Sequence, residues 1–348
     1  MRQVVSAIVI AATLCLPAVA QARDSFRIAW SIYVGWMPWG YAADAGIVTK
    51  WADRYGIEIE VVQVNDYIES INQYTAGGFD GCVMTNMDAL TIPAVGGVDS
   101  TALIIGDFSN GNDGIVAKTA TSVAELKGER VNLVELSVSH YLLARALEAN
   151  GLAERDLTVV NTSDADLVAV FGSSDDVSNV VTWNPLLAEV QAFPGATKLF
   201  DSSQIPGEII DMMVVDSDVL AANPDFGKAL VGAWYETMAL MSGVGTEGID
   251  ARTAMAAASG TDLAGFEAQL ASTRMFYDPA EAVTFATSPD LLATMDKVRR
   301  FSDVHGLLEG GLDTVGIAFP DGSTLGSSDN VKLRFTADFM QMAADDAL

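Results

Sequence analysis

Carboxylates and aromatic rings with no basic side chain among them are the residues of this chain whose placement could do chemistry. They fall in eight short stretches: 33–41, 65–69, 85–88, 109–113, 135–140, 162–166, 182–185 and 206–211. None of these contains Lys or Arg, and together they hold Asp66, Glu69, Asp88, Asp113, Glu135, Asp164, Asp166, Glu208 and Asp211. An anion site would use Arg forks, Lys or bare helix N-termini. Ring faces beside carboxylates suit a small cation instead, each ring contributing about 0.5–2 kcal/mol once water is excluded. Tyr33, Trp36, Tyr67 and Trp183 are rings that could box a positive group. Trp39 is close by, but it shares an apolar helical face with Trp51, and Trp30 is within a strand; all three read as core. Asn86, Asn184 and Ser137 can add neutral polar contacts. The chemistry implied is recognition, with carboxylates accepting hydrogen bonds from a planar, nitrogen-rich solute stacked on aromatic rings.

Reaction chemistry finds little support. The segment "GVGTEG" at 243–248 matches the dinucleotide fingerprint literally but follows a helical pattern, so it reads as a turn. His140 lies near Ser137 and Glu135, yet sequence neighbours seldom form a triad, and a polar contact or cap is expected of it. His305 precedes Gly306 as a helix-end residue. Two histidines and one mature-chain cysteine, far apart in sequence, give no zinc site. "DFSNGNDG" lacks calcium-loop spacing. No cofactor is expected.

The eight stretches share a position: each follows or borders a predicted strand. "FRIAWSI", "IEIEVVQV", "FDGCVMT" and "STALIIGDF" read as strands alternating with helices over 38–51, 66–74 and from Asp88. The Asn- and Gly-rich "SNGNDG" at 109–114 predicts a crossing. The pattern then restarts with "GIVAK", "RVNLV", a helix over 139–150, "LTVVN", "NVVTW" and further helices. "EIIDMMVVD" carries the chain back, and the remainder reads as mostly helical. Alternation of this kind predicts parallel βαβ units and two α/β lobes. Ligands of such sheets bind outside the strands' carboxyl ends, and two facing lobes make a hinged clamp.

Composition narrows the setting. Residues 1–22 combine Arg2, the apolar "VVSAIVIAATLCLPAVA" and small residues at the end, the anatomy of a secretory signal peptide cut after Ala20 or Ala22. Its removal takes 19 basic residues to 18 against 46 acidic ones, so the charge moves from -27 to -28. So acidic a chain should not bind nucleic acid or anionic membrane surfaces. Cys82 alone remains, so no internal disulfide is expected.

Longer stretches carry a family likeness. "YVGWMPWGYAADAGIVTKWADRYGIEIEVVQVNDYIESINQYTAGGFDGCVMTNMDAL", "GERVNLVELSVSHYLLARAL" and "VVTWNPLLAEV" resemble the nitrate/sulfonate/taurine type of ABC-importer binding protein. "TNMDALTIPAVGGVDSTALIIGDFSNGNDGIV" and "VGIAFPDGSTLG" are similar to the urea-transporter binding proteins associated with urea carboxylase-like, guanidine-degrading systems. The resemblance implies a periplasmic, monomeric solute-binding protein of type II fold that serves an ABC permease and its ATPase at the inner membrane. It implies lobe 1 over 23–112 and 215–348, and lobe 2 over 113–214. It places ligand contacts at Tyr33, Trp36, Thr85, Asn86, Asp88, Asn112, Asp113, Glu135, Ser137, Ser139, Trp183 and Asn184. Where anion-binding members have a Gly-Ser helix start, this chain reads "VELSVS". Glu135 there would repel an oxyanion, which favours a guanidinium- or urea-like solute over nitrate, sulfonate or taurine. An enzyme on the same fold, of thiamine-pyrimidine synthesis type, and a ligand-sensing partner of a membrane receptor are the competing classes.

Overall fold

The structure, a computed structural model, describes residues 23–348; the signal-peptide reading lies outside the described residues. Strands β1 (Ser25–Trp30), β2 (Glu58–Gln63), β3 (Gly81–Thr85) and β4 (Ser100–Ser109) alternate with helices α1 (Met37–Asp44), α2 (Ile47–Arg54), α3 (Tyr67–Thr75) and α4 (Asn86–Ala89). Next come β5 (Asp113–Ala117), β6 (Arg130–Leu133), helix α5 (Val138–Ala149), β7 (Thr158–Asn161), β8 (Asn179–Trp183) and β9 (Thr197–Asp201). The chain returns through β10 (Ile210–Asp216) and β11 (Thr273–Met275), the long helix α6 (Pro289–Val304), and β12 (Gly316–Ala318), β13 (Thr324–Leu325) and β14 (Val331–Phe335).

Two sheets result. The larger runs β13-β12-β14-β4-β10-β3-β1-β2, with β11 also on β4; the smaller runs β7-β6-β8-β5-β9. The fold is thus α/β with two lobes, one per sheet. Both sheets are mixed: β10 runs antiparallel to β3 and β4, and β5 antiparallel to β8 and β9. Those reversals follow from the crossings, since a strand entering a sheet from the other lobe arrives at the edge where its neighbours end. The crossings are 110–112 and 202–209, and they bind each other: Ser109 and Ser202 hydroxyls lie 2.6 Å apart, and the Gly111 N–H donates to Ser202 Oγ at 2.8 Å. Residues 210–216, in which the expected lobe division at 214/215 falls, are one unbroken strand of the larger sheet.

Two local readings differ from the sequence pattern. The helix expected over 38–51 is broken into α1 and α2, because Gly46 takes a left-handed φ of 73° that costs glycine nothing. The C-terminal region is not helical throughout: "GIA" and "VKLRF" extend the larger sheet, their short length giving little alternation to read. Core packing between α1 and the helix Pro224–Met241 uses Trp39, 1% exposed, stacked on Trp234 at 5.1 Å. Among the described residues no helix is long and apolar enough to cross a membrane.

Candidate functional site

Strand register assembles the site at the edge where the two lobes face each other. Asp211 enters the larger sheet at the start of β10 directly opposite Thr85 of β3 on one side and Asp107 of β4 on the other. Directly paired residues present their side chains on one face, so three oxygen-bearing groups line up there. Asp113, at the start of β5, is paired with Trp183 at the end of β8 in the same way. The turn after β1 supplies Tyr33 and Trp36, and the start of α5 supplies Val138. Together Tyr33, Trp36, Tyr67, Thr85, Asp113, Val138, Trp183, Ile209 and Asp211 line a small cavity.

The walls are ring faces. Tyr33 meets Trp36 at 4.9 Å, Trp36 meets Tyr67 at 5.5 Å, and Tyr67 meets Trp183 at 5.7 Å, a chain of four rings from the larger lobe to the smaller. Proline in the "WMPWG" turn starts α1 at its first positions and swings Trp36 to the helix end, facing the cleft. Gly35 is required there: a Cβ would lie 2.4 Å from Asp107 Oδ2 and 2.5 Å from the Tyr33 ring.

Charge in the site is one-sided. Asp88, Asp107, Asp113 and Asp211 are all at most 3% exposed, and among the described residues no Lys, Arg, His or Cys lines the cavity. Tyr33 Oη donates to Asp107 Oδ1 at 2.9 Å. Tyr67 Oη and Thr85 Oγ1 donate to Asp88 Oδ2 at 2.6 and 2.8 Å, and the Thr85 N–H donates to Tyr67 Oη. Burial raises the Asp88 carboxyl to about 6 despite those bonds and the nearby Val138 N–H. Burial also raises Asp113 to about 7, with the Asp88 charge adding to it. Asp107 and Asp211 are raised by burial too, and they favour sharing a proton across the β4–β10 pair. Asp88 Oδ1, Asp107 Oδ2 and Asp211 Oδ2 have no hydrogen-bond partner among the described residues, and neither has Trp36 Nε1.

The candidate residues divide accordingly. Tyr33, Trp36, Thr85, Asp113 and Trp183 line the cavity, and Asp88 sits just behind Tyr67 and Thr85. Asn86 is occupied structurally: its Nδ2 donates to the Glu208 carbonyl and its Oδ1 takes the Ile210 N–H. Asn184 similarly bonds Ser272 and the Ala188 N–H. Ser137 caps α5, and Ser139 and Asn112 are buried nearby with side-chain atoms lacking partners. Glu135 is exposed, its N–H bonded to Asn161 Oδ1, and it does not line the cavity. The tight turn after β6 places Leu136 at φ 64° and directs Glu135 to solvent. Asp107 was missed because it is inside a strand pattern, "STALIIGDF"; a lone carboxylate there was the available signal. The two histidines, distant in sequence, come together with Glu154 in a group that the sequence spacing does not reveal.

The chain matches the family described as NMT1/THI5 like over residues 50–242. Among curated protein sequences none matches it. In structure it is similar to the alkanesulfonate-binding protein SsuA from Xanthomonas axonopodis pv. citri bound to MOPS, with TM-score 0.67, 18% identity, and 83% of this chain and 96% of that one covered. It is similar also to the periplasmic aliphatic sulphonate binding protein SsuA from Escherichia coli, with TM-score 0.65, 18% identity, and 82% and 94% covered. The periplasmic nitrate-binding protein NrtA from Synechocystis PCC 6803 superposes at TM-score 0.58 with 13% identity, covering 94% and 99%. At such identities the likeness establishes architecture and leaves the ligand to be argued from the site. The chain belongs to the NMT1/THI5-like family and has the two-lobed periplasmic-binding-protein fold.

Proposed function

We propose that this protein is the periplasmic solute-binding component of an ABC importer and that its cleft takes a small, planar, nitrogen-rich compound, guanidinium- or urea-like. The carrying observation is a ring-walled cavity lined by buried Asp113 and Asp211, with buried Asp88 and Asp107 beside them and no basic side chain among the described residues lining it. Burying one uncompensated carboxylate is costly, and burying four is sustained only by shared protons or by an arriving cation. Guanidinium brings charge and N–H donors in one plane, which matches the unpartnered oxygens of Asp88, Asp107 and Asp211 and the four rings. A binding role is favoured over an enzymatic one by the absence of any histidine or cysteine from the cavity lining.

A second reading, an anion of the sulfonate or nitrate class, draws on the names of the structural neighbours and on the start of α5, where Val138 lines the cavity. Against it, the Asp88 carboxylate already sits by that helix start. Calorimetry with guanidinium, urea, choline, taurine and nitrate separates the two. The cation reading expects guanidinium to bind and both anions to fail; taurine or nitrate binding alone overturns it.

A further inference from the structure

Away from the cleft, the end of α6 touches the other lobe through a second group of titratable side chains. His305 Nε2 lies 2.7 and 2.9 Å from the two Glu154 oxygens, and His305 Nδ1 lies 2.8 Å from the Phe301 carbonyl oxygen. Both ring nitrogens face acceptors, which suits the doubly protonated imidazolium. His140, 3% exposed, turns Nε2 to within 3.3 Å of Glu154 Oε1. Its Nδ1 accepts the Leu136 N–H at 3.1 Å, so the neutral ring carries its proton on Nε2. That tautomer argues against a metal held by this trio, since a metal on Nε2 would turn an Nδ1–H against the Leu136 N–H. The group is built to hold protons. Glu154 and His140 belong to the smaller-sheet lobe. His305 follows α6, which meets the larger lobe where Met295 Sδ faces Asn86 Nδ2, and meets the 202–209 crossing where Thr294 Oγ1 bonds the Gly207 carbonyl.

We propose that His305, Glu154 and His140 form a cross-lobe clasp, closed by a charged His305 and loosened when His305 loses its proton. The Glu154 pair raises the His305 pKa, and the two histidines hold Glu154 at about 2. The sign follows. The contribution is fully present below the ordinary histidine value of about 6.5 and is lost as pH rises through the raised value. At the acid end it declines progressively from the ordinary glutamate value of about 4.5 down to the Glu154 value of about 2. Other charges at the contact are already matched. Arg145 of α5 and Lys297 of α6 both bond Glu208, Glu148 pairs with Arg145, and Arg300 pairs with Asp296. Arg155 and Asp303 adjoin the trio in sequence.

The test measures the distance between a spin label on each lobe of the ligand-free protein, at the exposed positions Asp175 and Val244, at pH 6 and pH 9. The wild type should shift towards longer distances at pH 9, and His305→Gln and Glu154→Gln should show the longer distances at both pH values. Titration of the cleft carboxylates could also open the lobes, so His305→Lys is the deciding variant. It keeps a cation at pH 9 and should remain closed. The clasp is refuted if His305→Lys opens with pH as the wild type does, if neither neutral variant differs from wild type, or if zinc raises the wild-type melting temperature and not that of His140→Ala.

Discussion

Glu208 and Asp113 are both buried carboxylates, 6% and 3% exposed, and the chain treats them in opposite ways. Around Glu208 stand Lys297 Nζ at 2.6 Å, Tyr141 Oη at 2.7 Å and Arg145 Nε at 2.8 Å, and its pKa is lowered once these bonds outweigh the cost of burial. Around Asp113 stand rings, a serine hydroxyl and other carboxylates, and its pKa is raised to about 7. Where a carboxylate serves the fold, the sequence supplies its cations. Among the described residues no basic side chain lines the cleft cavity, and burial raises its carboxyls instead.

Mutating the two regions should therefore give opposite results. Asp113→Asn and Asp88→Asn should each weaken guanidinium by about 1.5–3 kcal/mol, roughly 10- to 150-fold, while raising the melting temperature of the ligand-free protein. Glu208→Gln should lower that temperature, at a cost on the order of 1–3 kcal/mol, because Arg145 and Lys297 lose their partner. Calorimetry and thermal unfolding on the three variants decide it. A fall in stability for Asp113→Asn would remove the contrast.

The same contrast predicts a pH dependence. Carboxyls whose folded pKa is raised stabilise the free protein most below the unfolded value of about 3.9 and progressively less up to the folded values. For Asp88 and Asp113 those are about 6 and about 7. Ligand-free stability should fall from pH 4 to 7, and guanidinium affinity should rise over pH 5 to 8 as the carboxylates ionise. Flat affinity across that range would mean the cation is bound without them.

The ring chain should matter less. Trp183→Leu and Trp36→Leu each remove one cation–π face, costing about 0.5–2 kcal/mol, a few-fold to about 30-fold in affinity. Trp36 should show the larger loss, as it touches both Tyr33 and Tyr67. Equal binding by both variants would reassign the rings to packing alone.

How much of this was readable before the coordinates depends on whether the signal was local. Strand and helix periodicity are local, so the two-lobed α/β plan and the strand-end position of Tyr33, Trp36, Thr85, Asp113 and Trp183 could be read directly. Pairing is not local. Asp107 meets Asp211 only through the antiparallel β4–β10 register, and no spacing along the chain records that. His140 and His305 meet through packing of α6 on α5, across 165 positions of sequence. Asn86 and Asn184 have the right types for ligand contacts, and the structure bonds the Asn86 amide to the Glu208 carbonyl and Ile210 N–H and the Asn184 amide to Ser272 Oγ and the Ala188 N–H.

Glu135 gives the sharpest check on that distinction, because sequence and structure assign it differently. By position it replaces the small residues that open an anion site, and from charge alone it should attract a cation. In three dimensions its side chain is exposed beyond the left-handed turn at Leu136, while Asp88 occupies the ground beside Val138. A solvent-exposed charge is screened by water and salt. Glu135→Gln should thus change guanidinium affinity by no more than about twofold and leave unfolding nearly unmoved. A tenfold loss measured beside an unaffected Asp88→Asn would show that the start of α5, and not the buried carboxylates of the larger lobe, supplies the negative charge in the cleft.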